Sequence, residues 1–113
     1  MRLLSTTLAL ALFGGPVLAD DLLEQGTVLY SQICSRCHGF NMVNAGTASF
    51  DLRKFPKDQE GRFLESVSYG RNSMPAMGDL LSEEEIQALW RYVSTRGGKE
   101  LAAVDEKKKL RGK

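Results

Sequence analysis

Both cysteines and the only histidine of the chain fall inside five positions, "CSRCH", residues 34–38. Two thiols and an imidazole so close together can hold a metal ion, close a disulfide, run thiol exchange or anchor a haem. Structural zinc takes four ligands, and Cys34, Cys37 and His38 supply three at most, with no other Cys or His anywhere in the sequence. A thiol–disulfide oxidoreductase places its Cys-x-x-Cys after a strand in a βαβ setting, whereas here the motif follows a helical pattern. A disulfide between residues three apart closes almost no loop and leaves His38 without a role. Covalent haem uses every residue. One helical turn between Cys34 and Cys37 spaces two sulfurs for thioethers to one porphyrin, and His38 is next in line as an axial ligand.

The ends of the sequence agree with export. Met1-Arg2 is followed by the apolar run "LLSTTLALALFGGPVLA", in which Val17 and Ala19 have the small-residue spacing of a cleavage site. The run is broken by Ser, Thr, Gly and Pro, unlike a membrane span of about 20 apolar residues. The expectation is a signal peptide over 1–19, cleaved after Ala19, and a mature periplasmic chain without stable membrane insertion. Charge is uneven along that chain. Residues 99–113 carry Lys99, Lys107, Lys108, Lys109, Arg111 and Lys113 against Glu100, Asp105 and Glu106, which leaves the preceding part acidic. A nucleic-acid surface is therefore not expected. So short a chain is marginal on its own core, and a large apolar cofactor would supply what is missing.

Periodicity predicts three main helices and no sustained strand. The first covers Asp21 to about Ile33, with Leu22, Gly26, Leu29, Tyr30 and Ile33 on one face. The second runs from about Gln59 to Tyr69, with Phe63, Leu64 and Val67 inward and Gly70 as its stop. The third opens on a capping box, Ser82 with Glu85, stapled by Leu81 onto Ile86. Its stripe is Ile86, Leu89, Trp90 and Val93, and Gly97-Gly98 end it. Residues 20–98 read as one all-α domain, and 99–113 as a charged tail, flexible or at most a frayed helix.

"CSRCH" after a helix, a Met-Pro loop and a final helix ending "ALWRYV" together resemble a class I c-type cytochrome, over about residues 22–96. The resemblance implies three helices around one covalent haem c, with the first and last crossing closely at Gly26 and Tyr30 against Leu89 to Val93. Met42 is too near His38 to reach the other face of a macrocycle, since four residues span roughly 14 Å at most. Met74 and Met77 both lie in the later loop. Pro75 stiffens the chain at Met74, and the family pattern places its ligand in Met-Pro, so Met74 is the expected axial sulfur and Met77 the alternative. The family's histidine N–H commonly meets a proline carbonyl shortly downstream. Here Ala45 and Gly46 stand in that region, so a carbonyl between Asn44 and Gly46 is the expected partner.

Two filled axial positions keep substrates off the iron and point to one-electron transfer rather than an enzyme. The competing reading is a haem protein whose methionine is labile, acting as a peroxidase or gas sensor. A fixed haem subunit of a larger complex is a third. The expected rim of the haem edge is Ser35, Arg36, Ala76 and Met77, with Arg53 or Lys54 offsetting propionate charge. "CHGFNMVNAGTASFDLRKFPKD" and "SMPAMGDLLSEEEIQALWRYV" are similar to cytochromes that accept electrons from periplasmic quinoprotein (PQQ) alcohol dehydrogenases. That resemblance implies a monomeric shuttle to a terminal oxidase or another cytochrome.

Overall fold

An amphipathic first helix needs an apolar partner, and it finds one in the helix nearest the C-terminal end of the domain. The computed structural model describes residues 18–44, 46 and 49–112, with the backbone alone for 18–20. Most of the expected signal peptide lies outside the described residues. Helix α1 spans Leu18–Leu29 and continues through a π-helical turn, Tyr30–Cys34, into a short α2, Ser35–His38. The helical run is thus longer than expected and contains the whole cysteine motif. The π turn is closed by Ser35 N–H donating to the Tyr30 carbonyl, five residues back. Helix α3 is Glu60–Tyr69, α4 is Glu83–Ser94 and α5 is Leu101–Arg111. Among the described residues the only ladder pairing is a two-residue bridge between Arg71 and Met74.

Helix α4 begins where its capping box directs. Ser82 Oγ accepts from Glu85 N–H at 3.1 Å, and the Glu85 carboxylate accepts from Ser82 N–H at 2.8 Å. Three acidic residues in the first turn complement the helix dipole. The helix stops before the expected glycines, because Arg96 already adopts a left-handed backbone (φ 52°). Gly97 N–H then returns to the Tyr92 carbonyl at 2.8 Å and Arg96 N–H to Val93 at 3.1 Å, satisfying the last carbonyls.

α1 crosses α4 at Gly26. A Cβ added there would overlap the Ala88 carbonyl and sit 3.1 Å from Tyr92 Cβ. The opposing surface is therefore Tyr92, inside the segment expected, and Ala88, one residue before it. One turn on, the Tyr30 ring lies on Tyr92 with centroids 4.6 Å apart. The rest of the core is aromatic. Phe55 meets Phe63 and Trp90 edge-on at 5.7 and 5.9 Å, and Phe63 lies 5.2 Å from Trp90. Leu81, Ile86, Leu89 and Val93 complete it, and Met42 is buried in it as well.

The charged tail, for which a frayed helix or an ordered-free end is expected, forms α5. It is tied to α4 by Arg91, whose Nη1 and Nη2 donate to the Asp105 carboxylate at 2.7 and 3.2 Å.

Because the obstacle at Gly26 is backbone, side-chain rearrangement cannot relieve it. Gly26→Leu is expected to cost about 3 kcal/mol or more. An unchanged Tm would place the close approach elsewhere.

Candidate functional site

The cysteine motif sits where the helical run leaves the core. Cys34 is half-buried and Cys37 exposed, and neither is in a disulfide. Burial, and secondarily the neighbouring Cys37, push the Cys34 thiol up to about 11. It is thus a thiol, not a thiolate, at neutral pH. Among the described residues no cluster of three or more His, Cys, Asp or Glu side chains could hold a bare metal ion.

The turn after His38 is tight enough to require glycine. Gly39 has φ 86°, and a Cβ there would overlap the Val43 carbonyl. Tyr30 O–H donates to the Gly39 carbonyl at 2.7 Å, so the same tyrosine that packs at the helix crossing also fixes this turn. Met42 follows with φ 62° and 2% exposure. Its side chain lies in the core.

His38 Nδ1 lies 2.9 Å from the Phe50 carbonyl oxygen. A carbonyl only accepts, so Nδ1 carries a proton, and in the neutral imidazole the lone pair then lies on Nε2. The expected partner between Asn44 and Gly46 is therefore replaced by Phe50. Asn44 serves one step away. Its Oδ1 accepts from Gly46 N–H at 3.1 Å and its Nδ2 donates to the Ser49 carbonyl, bracing the turn that returns Phe50 to the histidine.

Segment 50–55 is held from a distance. Arg96 Nη1 donates to the Leu52 carbonyl at 2.9 Å and Nη2 to the Phe55 carbonyl at 2.6 Å. Sequence reading missed Arg96, since the only local hint is a cation beside a Gly-Gly helix stop. Arg53, expected with Lys54 as the alternative near a propionate, chelates Asp51 with Nε and Nη2 at 2.9 and 2.8 Å. That hydrogen-bonded guanidinium holds the Asp51 carboxyl at about 2. The folded value is depressed, so this pair's contribution to stability is present above the ordinary carboxylate range and lost as pH falls toward 2.

The methionine loop is fixed mainly by backbone. Arg71 and Met74 exchange N–H to carbonyl bonds at 3.1 and 2.9 Å, while Met77 and Gly78 N–H donate to Val67 and Ser68 of α3 at 2.8 and 3.0 Å. Gly70, at φ 77°, permits the fold-back, because a Cβ would lie 2.7 Å from the Met74 carbonyl. Cys34, Met74 and Met77 all pack, half-buried, against the same core. Cys37 is exposed and His38 half-buried, and Phe40, Val43 and Phe50 are exposed. Of the expected rim, Arg36 and Ala76 are exposed, while Ser35 and Met77 are half-buried. Two thiols one turn apart, an imidazole with Nε2 available, thioethers on a braced loop and an apolar surround fit haem c.

Arg96→Ala is expected to destabilise the holoprotein by about 2–4 kcal/mol, because charge-assisted bonds are lost and two carbonyls are orphaned. Arg96→Gly relieves the left-handed backbone but loses the same bonds. A denaturant melt in which Arg96→Gly matches the wild type would reduce the arginine to a backbone role.

The family model described as cytochrome c oxidase, cbb3-type, subunit III matches residues 21–93. Cytochrome c6 of Microcystis aeruginosa is 37% identical over 78 residues, 66% of this chain and 96% of that protein. Cytochrome c6 of Gloeothece citriformis is 33% identical over 103 residues, 84% of this chain and 93% of that one. The quinohemoprotein alcohol dehydrogenase ADH-IIG of Pseudomonas putida is 33% identical over 85 residues, 72% of this chain. This chain spans 12% of that relative's length. No solved structure matches. With a helical fold, a c-type attachment motif and these relatives, the chain belongs to the cytochrome c family, carrying covalently bound haem c as an electron carrier.

Proposed function

We propose that Cys34 and Cys37 form the two thioethers, that His38 Nε2 and Met74 Sδ are the axial ligands, and that the mature chain shuttles single electrons in the periplasm. The donor in this reading is a quinoprotein (PQQ) alcohol dehydrogenase, and the acceptor a terminal oxidase or another cytochrome. The observation that carries it is the His38–Phe50 hydrogen bond, which orients the imidazole, together with a loop in which both the N–H and the carbonyl of Met74 are bonded. The relatives named as quinohemoprotein alcohol dehydrogenases support the choice of donor, because each contains a segment similar to this chain.

Haem supplies a reversible one-electron couple between ferric and ferrous iron. The chain's residues decide how that couple behaves. The Phe50 carbonyl keeps the proton on Nδ1 and stops the imidazole from rotating. The exchange between Arg71 and Met74 holds the thioether's backbone, so a neutral soft ligand binds with little loss of entropy. Such a ligand favours the reduced state relative to a second histidine. Export is supported by the apolar N-terminal run. No helix among the described residues is long and apolar enough to cross a membrane.

The enzyme-like alternative, a labile methionine, is opposed by the bracing of the loop. Met74→Ala is expected to abolish the weak long-wavelength band of an iron–sulfur bond and to open the ferrous protein to carbon monoxide, to which the wild type is inert. If Met77→Ala alone does this, Met77 is the ligand. A wild-type ferrous spectrum altered at once by carbon monoxide would favour the peroxidase or sensor reading.

A chain ending at Gly98 is expected to accept electrons from a quinoprotein alcohol dehydrogenase nearly as fast as the full mature chain. Stopped-flow reduction across a salt series checks this. A rate loss that is greatest at low salt would make the basic tail a docking element. No reduction of either form, with the haem intact, would remove this donor.

A further inference from the structure

The residue that meets the histidine is itself poorly anchored by packing. Phe50 is 51% exposed, so burial of its side chain does little to fix its carbonyl. A carbonyl free to wander would surrender the His38 Nδ1–H to water, which accepts a hydrogen bond almost as well. The 2.9 Å bond therefore depends on what holds the chain on either side of Phe50. On the N-terminal side, the Ser49 carbonyl accepts from Asn44 Nδ2. On the C-terminal side, the turn Leu52–Lys54 is closed by Lys54 N–H to the Asp51 carbonyl at 2.9 Å and Phe55 N–H to Leu52 at 3.2 Å.

Those bonds stiffen the turn but do not place it relative to the helices. Arg96 does. Its Nη1 donates to the Leu52 carbonyl at 2.9 Å and to Val93 of its own helix at 3.0 Å. Its Nη2 donates to Phe55 at 2.6 Å, and its Nε lies 3.5 Å from the Glu100 carboxylate. Every guanidinium nitrogen is thus engaged, and the side chain is only 16% exposed. The Arg96 backbone is fixed as well, by its N–H to Val93 and by the return of Gly97 N–H to Tyr92. A planar fork has donors at set angles and so transmits position, whereas an ammonium on a flexible stem supplies mainly charge.

We propose that Arg96 is a positioning residue for the haem: by fixing the Leu52 and Phe55 carbonyls it keeps the Phe50 carbonyl on His38 Nδ1–H and so lowers the reduction potential. A firmly held Nδ1–H makes the imidazole a stronger donor at Nε2, which favours ferric iron. As a charge alone, the guanidinium would act in the opposite direction, because a nearby cation disfavours the ferric state. The role rests on His38 being an axial ligand, as proposed above.

The test compares wild-type, Arg96→Lys and Arg96→Gly holoproteins by potentiometric titration and by ¹⁵N-histidine NMR. His38 is the only histidine, so the label reports one site. Both variants are expected to raise the potential, Arg96→Lys although it keeps the charge. In ferrous Arg96→Gly, the Nδ1–H should exchange with solvent about tenfold faster, as loss of charge-assisted anchoring predicts. If Arg96→Gly does not take up haem, Arg96→Lys decides alone. The role of Arg96 is overturned if neither variant raises the potential, a fall in Arg96→Gly alone marking a charge effect, or if Nδ1–H exchange stays at the wild-type rate. His38 ring nitrogens that do not shift between ferric and ferrous wild type would overturn the ligation and this role together. Shifted nitrogens with unaltered variants would overturn the role of Arg96 alone.

Discussion

The close passage of α1 over α4 at Gly26 is the contact on which the remaining structure depends. With the Ala88 carbonyl against the glycine, the helix backbones approach far enough for Tyr30 to lie on Tyr92. Tyr30 then does two further things. Its hydroxyl fixes the Gly39 carbonyl, and its own carbonyl closes the π turn that carries Cys34. Burial raises the Tyr30 hydroxyl's pKa well above its ordinary value, so it stays a hydrogen-bond donor at any physiological pH. Through one aromatic side chain, a packing contact between distant helices is converted into the position of the attachment motif.

The other half of the site rests on backbone carbonyls reached from afar. Arg96, itself desolvated by burial, holds the carbonyls of Leu52 and Phe55. Phe55 in turn enters the aromatic cluster with Phe63 and Trp90. The carbonyl that meets His38 belongs to Phe50, at the start of that segment. Helix α4 thus braces the histidine side through its C-terminal exit and the cysteine side through Tyr92.

The parts of this arrangement that could be read in the sequence are those with local physics. The capping box at Ser82 and Glu85, the stop at Gly70 and the cysteine spacing each operate within a few residues, and each is found as expected. Gly26 was legible only through resemblance, since a glycine in a helix pattern does not by itself announce a crossing. Phe50 and Arg96 were not legible. The partner of His38 lies 12 residues away and Leu52, a partner of Arg96, lies 44 residues from it, separations at which pattern carries no register. The early end of α4 was hidden for a similar reason. Arginine is not a residue that signals a left-handed backbone, and its side chain bonds both the local Val93 carbonyl and the distant carbonyls of Leu52 and Phe55.

The π-helical turn at Tyr30–Cys34 has a consequence for how the two duties of the first helix coexist. Each residue of an α-helix advances about 100° around the axis. Widening one turn by a residue sets everything beyond Ser35 back by that angle relative to the stretch before Tyr30. Gly26 and Tyr30 take their azimuth from α4, while Cys34, Cys37 and His38, the residues proposed to hold the haem, lie at or beyond the offset. A regular helix would lock both azimuths to a single phase. The inserted residue works as a mechanical offset between them, allowing one uninterrupted rod to present two faces whose directions are set independently.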